Sequence, residues 1–236
     1  MRLSTLVPVG SFLAAIVIAS LTPSTRGLLR AAGETTGCKV VTTVTATLDS
    51  RSRTLGDDSI RDEKKKDIKK ELGDALTEMG VDITNDDVQK AIDDSAKEVQ
   101  KKKLDALCLC NVDASFSWVQ TTPNQVDATV TAKFSVVTLL PKNASDLLKA
   151  HEEGHKLIAE KTKEWSKKKF KDEMDKAACD DASIAAAFAK ALAAVGTVLD
   201  TANKDYDNKT NHGKIGTAAQ QLTQAAAAFD AAAAAN

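Results

Sequence analysis

Every stretch of this chain with strand character lies before Pro141, and only helical spacing follows it. Val40–Leu48 reads VVTTVTATL, an alternating β-branched run that suits a half-buried strand. Strand character returns over Leu107–Trp118 and Val126–Leu140, with Thr121-Thr122-Pro123-Asn124 as the turn between them. Pro141 ends the extended run, and Asn143 or Ser145 can cap a long helix that starts near Asp146 and continues through His155 and Trp165 towards Met174. A further Ala-rich helix is expected from about Ala182 to Ala202, then an irregular polar segment from Asn203 to Gly213, then a last helix from Thr217 to the end. Strands first and helices later place the chain in the α+β class.

One segment interrupts the strands. From about Ser59 to Lys103 the composition turns to Lys, Asp and Glu. Ile68, Leu72, Leu76 and Met79 recur at helical spacing, Gly80 stops that run, and Thr84 with Asp87 can cap a second helix carrying Val88, Ile92 and Val99. Residues 59–104 are thus expected as a helical-pair insertion, with Lys64–Lys66 on its solvated face. The whole chain balances 32 Lys+Arg against 33 Asp+Glu, so no basic excess is left to neutralise phosphates, and nucleic acid is not expected as a partner.

The first 33 residues read as an address. After Arg2, Leu6 to Leu21 is apolar apart from Ser11 and Ser20, about the length of a secretory hydrophobic region and short for a spanning helix. We expect a signal peptide or leader at 1–33, one domain over 34–236 that ends in an Ala-rich helix at 217–236, and a secreted or extracytoplasmic protein with no stable membrane partner once the leader is gone. No second stretch reads as long and apolar enough to cross a bilayer. Cys38, Cys108, Cys110 and Cys179 all follow the leader, and an even number in an oxidising compartment suggests two disulfides. A Cys108–Cys110 link would close a strained ring, so each of these is expected to join Cys38 or Cys179.

The chemistry gathers on the long helix. His151-Glu152-Glu153-Gly154-His155 is HExxH, whose i, i+4 spacing puts both imidazoles on one helical face, close enough to share a cation. Glu152, offset by one residue, can reach a water at that cation without binding it, as a general base must. A catalytic zinc takes three protein ligands, and the chain has three histidines; the third is His212. Glu160, Glu164, Asp205 or Asp207 could replace it, and either aspartate also suits a supporting role beside an imidazole. Tyr206, the only tyrosine, could donate a hydrogen bond to a developing oxyanion. Gly154 costs a helix about 1 kcal/mol relative to Ala, a penalty understandable if another group approaches there.

These residues resemble an uncharacterised, mainly bacterial family of exported zinc-dependent proteases: an extended segment ending in Leu140-Pro141, a helix with HExxH, and downstream Tyr-Asp-x-x-Thr-x-His-Gly, here Tyr206-Asp207-Asn208-Lys209-Thr210-Asn211-His212-Gly213. The match spans roughly Trp118 to Gly216. The resemblance implies a zincin-like fold, with a small, mostly antiparallel sheet packed on the active-site helix. It implies Zn2+ held by His151, His155 and His212, Glu152 as the catalytic carboxylate, and a peptide or protein substrate. The alternative is an exported binding or structural protein in which the histidines are vestigial or hold a structural metal.

Overall fold

The computed structural model describes residues 37–236 and, before them, only the backbone of two strands, β1 (Arg2–Val9) and β2 (Ile16–Ser20). Apart from those two strands, the expected leader lies outside the described residues. The elements that follow are β3 (Lys39–Thr54), α1 (Lys65–Glu78), α2 (Asp86–Lys102), β4 (Leu107–Thr122), β5 (Gln125–Leu140), α3 (Asp146–Met174), α4 (Asp181–Thr210) and α5 (Ala218–Ala234). The class is α+β, and the helical pair stands where its spacing placed it. Asn85, rather than Thr84, caps α2, accepting hydrogen bonds from the Asp87 and Val88 amides.

Three long strands carry the sheet, which is mixed: β3 pairs in parallel, and the other pairings are antiparallel. β4 and β5 form a hairpin with register Leu107↔Leu139 to Thr122↔Gln125, and β3 lies on the far side of β5, parallel to it, from Lys39↔Gln125 to Thr54↔Leu140. β3 and β4 run in opposite directions, so a strand inserted between them must be parallel to one and antiparallel to the other. Side-chain alternation has period two in either case, so the sequence pattern carries no sign of the difference. β1 and β2 continue the sheet beyond β4, antiparallel.

Alternation along the strands divides two apolar layers. Cys110, Val112 and Ala114 of β4 and Val130, Phe134 and Val136 of β5 face α3, α4 and α5. Leu107, Leu109, Val137 and Leu139 face the other way and meet Ile68, Leu72, Leu76, Ile92 and Val99 of the helical pair. The insertion therefore shares a core with the end of the sheet where β4 begins.

α4 departs from expectation twice. It runs unbroken to Thr210, through the segment expected to be irregular, because Asn203, Tyr206, Asp207 and Thr210 recur at helical spacing and are all buried. It is also long and apolar enough to cross a membrane by length and composition. Its apolar side, with Ile184, Phe188, Leu192, Val195 and Leu199, is instead buried in the core.

The cysteines pair differently as well. Cys38 bonds Cys179, tying the start of β3 to the start of α4, and Cys108 and Cys110 are free and buried. Cys38 adjoins the Lys39↔Gln125 pair, whereas Cys110 pairs with Val136, eleven residues further along β5. At ~3.3 Å per residue that separation is about 36 Å, far beyond a disulfide's reach. Burial pushes the Cys110 thiol up to about 12 and that of Cys108 well above its ordinary value, so both stay protonated.

Candidate metal centre

Two helices build the site. Ser145 caps α3, its hydroxyl accepting the Leu148 amide at 3.2 Å, and His151, Glu152 and His155 follow in the first turns, each with at most 5% of its surface exposed. One helical turn apart, the two imidazoles bring their Nε2 atoms to 3.1 Å. α4 lies alongside and adds Asp207, whose Oδ1 is 3.2 Å from His151 Nε2 and 3.0 Å from His155 Nε2. In a tetrahedral zinc site with bonds of about 2.0–2.1 Å, neighbouring ligand atoms stand roughly 3.3–3.4 Å apart. The triangle matches that size after opening by a few tenths of an ångström.

The surrounding hydrogen bonds assign the protons. Asn203 donates its amide to the Leu199 carbonyl at 2.7 Å, which turns its oxygen to His155 Nδ1 at 2.9 Å. Gln221 donates to the Ile215 carbonyl at 2.7 Å, turning its oxygen to His151 Nδ1 at 3.3 Å. Thr210 gives its hydroxyl proton to the Tyr206 carbonyl at 2.8 Å and also faces His151 Nδ1, at 3.3 Å, as an acceptor. Both imidazoles therefore carry their proton on Nδ1 and point bare Nε2 lone pairs at each other and at Asp207. Asp207 is itself buried, only 4% exposed. Its Oδ1 has no hydrogen-bond donor. Two lone pairs and an anion within 3.2 Å repel one another unless something positive lies among them. A proton shared by one imidazole and Asp207 leaves the other Nε2 unpaired; a divalent cation satisfies all three, and these three residues form a group able to hold a metal ion.

His212 lies close by but outside the triangle. Its Nδ1 is 3.6 Å from Asp207 Oδ1, its side chain is 34% exposed, and it lines the adjoining cavity. Asn211, His212 and Gly213 adopt left-handed φ of 48°, 53° and 74°, turning the chain tightly after α4. Gly213 is needed there, because a Cβ would stand 2.8 Å from His151 Cβ and Cγ. Asp207, and not His212, is the third member of the cluster with His151 and His155. Asp205 instead pairs with Lys209 at 2.6 Å, and Glu160 and Glu164 line a separate apolar groove with Trp165.

Tyr206 is fully buried, with its ring stacked on His151 at 4.8 Å and edge-on to His155 at 4.9 Å. Its hydroxyl faces the His151 carbonyl at 3.1 Å and Gln221 Oε1 at 3.0 Å, both acceptors, and burial pushes its pKa up. The proton is thus used inside the fold, and the residue positions imidazoles rather than reaching an oxyanion. Gly154 makes room for it: a Cβ there would lie 2.2 Å from the hydroxyl oxygen and 2.5 Å from Cζ. Gly154→Ala is expected to destabilise the protein by about 1–3 kcal/mol, overpacking outweighing the ~1 kcal/mol gain in helix propensity. Denaturant unfolding measures this, and Tyr206→Phe in the same chain should recover part of the loss. A single variant more stable than the parent would refute the close fit.

Glu152 completes the site. Its Oε2 is buried without a hydrogen-bond partner, and the residue lines a cavity of about 290 Å3 with His151, His155 and His212. Burial pushes its pKa up to about 7, and the charge of Asp207 adds to the rise. Sequence reasoning missed Asn203 and Gln221 and gave Thr210 only as a position of the motif; these are the acceptors that orient the imidazoles. The i, i+4 relation of Asn203 to Asp207 and of Tyr206 to Thr210 is the signal that could have found two of them. Comparison of this chain with family models, with curated proteins and with solved structures finds no match.

Proposed function

We propose that this protein is a secreted zinc-dependent peptidase of the HExxH type, zincin-like in arrangement, with His151, His155 and Asp207 as zinc ligands and Glu152 as general base. The observation carrying this reading is the convergence of two proton-free Nε2 atoms and one carboxylate oxygen at 3.0–3.2 Å, beside a buried carboxylate that faces an open cavity. The resemblance to exported proteases belongs to the same reading, because the residues of Tyr-Asp-x-x-Thr-x-His-Gly have work to do around His151. Tyr206 stacks on its ring, Asp207 faces its Nε2, Thr210 accepts from its Nδ1, and Gly213 lets the chain pass against it. The Cys38–Cys179 disulfide agrees with an oxidising compartment.

Bound zinc supplies a Lewis acid that acidifies water and polarises a carbonyl. Glu152, which lines the cavity, takes the proton from the attacking water and passes it to the leaving amine. Asn203 and Gln221 keep both Nε2 atoms available, and Asp207 lowers the charge of the ion it holds. Leu104 and Ala106 add apolar lining to the cavity.

A structural metal site in a non-enzymatic exported protein is the second reading. It is favoured by His212, which stands 3.6 Å from Asp207 and could close a fourth coordination position. Metal analysis, thermal melting and hydrolysis of a diverse peptide library separate the two. The peptidase reading expects one zinc per chain, an unfolding midpoint raised by on the order of 10 °C when free zinc is about 1,000 times its Kd, and cleavage that stops with chelator. Stoichiometric zinc with no cleavage of any peptide would establish the structural reading instead.

A further inference from the structure

The cavity beside Glu152 has a second wall that the proposed chemistry does not use. Lys102, Lys103 and Asp105, at the end of α2 and in its connection to β4, line one side, and Lys214 lines another beside His212. Lys102 is engaged with Glu98 at 2.6 Å, and with Lys101 it offsets the negative end of the α2 dipole. Asp105, the one acid on this wall, is turned to Ser59 Oγ at 2.8 Å and lies 3.6 Å from Arg61. Among the described residues, neither Lys103 nor Lys214 has a carboxylate within ion-pair distance, and both are exposed.

Lys103 is also the residue at which α2 ends in the left-handed conformation, φ 55°, where Gly or Asn is the ordinary choice. Two unpaired ammonium groups thus border a concave site whose other residues are committed to structure or to the metal. The charges left unpaired here are both positive, and a concave surface with an excess of one sign concentrates the field and attracts the opposite charge. A cavity of about 290 Å3 is roughly ten waters at ~30 Å3 each, enough for an acidic side chain and the adjoining peptide unit.

Resting on the peptidase reading, we propose that Lys103 and Lys214 select substrates carrying a carboxylate next to the scissile amide, so that the helical-pair insertion supplies one wall of the specificity pocket. The carboxylate comes from an Asp or Glu side chain or from the chain's C-terminus, and the test tells these apart.

The probes are N-acetylated, C-terminally amidated decapeptides that differ only in one Glu or Gln, and the Gln peptide with a free C-terminal carboxylate. Their binding to the zinc-loaded Glu152→Gln protein is measured by calorimetry, which needs no turnover, and their cleavage by the parent protein is measured alongside. The Glu peptide should bind about tenfold more tightly than its Gln partner. That ratio should fall below about threefold in Lys103→Asn/Lys214→Gln and in ~1 M salt, where charges are screened within ~3 Å. Asn tolerates the left-handed position, and if the double variant does not fold, Lys214→Gln alone carries the comparison. A preference for the free acid over the Glu peptide assigns the carboxylate to a chain end. Glu and Gln peptides that bind within twofold of each other, with no gain for the free acid, overturn the proposal, as does a preference unaltered by the lysine changes. Cleavage without any acidic preference sinks this inference and spares the peptidase; selective binding without cleavage does the reverse.

Discussion

Asp207→Asn is expected to abolish zinc binding and hydrolysis while leaving the fold intact. Asp207 Oδ1 is one corner of the 3.0–3.2 Å triangle, and a neutral amide neither matches its charge nor its affinity for zinc. The amide nitrogen, however, can donate to a bare Nε2, a bond that the carboxylate cannot make. The metal-free variant should therefore be as stable as the metal-free parent or slightly more so, by the order of one hydrogen bond, about 0.5–1.5 kcal/mol. Zinc should no longer raise its melting midpoint. His212→Ala is the matched control: the imidazole stands outside the triangle, so zinc should be retained, its affinity lowered by no more than the roughly 10–100-fold that loss of a supporting partner costs. Metal analysis decides the matter. Zinc lost from His212→Ala and kept by Asp207→Asn would reverse the ligand assignment.

Glu152→Gln should keep one zinc per chain and lose about 10^2 to 10^4 in kcat. The residue is not among the three atoms that converge, so the metal does not depend on it. Gln preserves the volume but removes the proton acceptor. Because Oε2 is buried with no partner, the substitution also relieves an unpaired carboxylate, and the variant should unfold no more easily than the parent. That combination separates lost chemistry from lost structure. Undiminished cleavage in this variant would remove Glu152 from the mechanism, and loss of zinc would show that the carboxylate binds the ion.

The site was half legible in the chain. HExxH points to the two clustered imidazoles and the carboxylate proposed as base because their relation is local, set by 3.6 residues per turn, and the same rule predicts that Gly154 leaves a gap on one face. Asn203 to Thr210 was harder to read. Its polar composition suggests a loop, yet Asn203, Tyr206, Asp207 and Thr210 keep helical spacing and are buried. Polar residues mark a solvated segment only when the buried face is apolar, and here the buried face of the last turns of α4 is the site itself. Asp207 and His212 both belong to the motif that suggested the third ligand. They are separated by the end of α4 and the left-handed Asn211, so which one reaches His151 depends on where the helix stops.

The cysteines show the same divide at longer range. Counting them and noting their positions after the leader points to an oxidising compartment, but a disulfide pairing depends on which strand ends meet. Cys38 and Cys179 meet because β3 and β5 run parallel, and that direction leaves no trace in an alternating pattern. Strand and helix positions, the helical pair and the paired histidines follow from interactions within a few residues, and the order of amino acids suffices to state them. The third member of the His151/His155 cluster, the tautomers set by Asn203 and Gln221 and the lysine-bordered cavity join residues 48 to more than 100 positions apart, and only the packing of α3, α4 and α5 on the sheet brings them within hydrogen-bonding or contact distance.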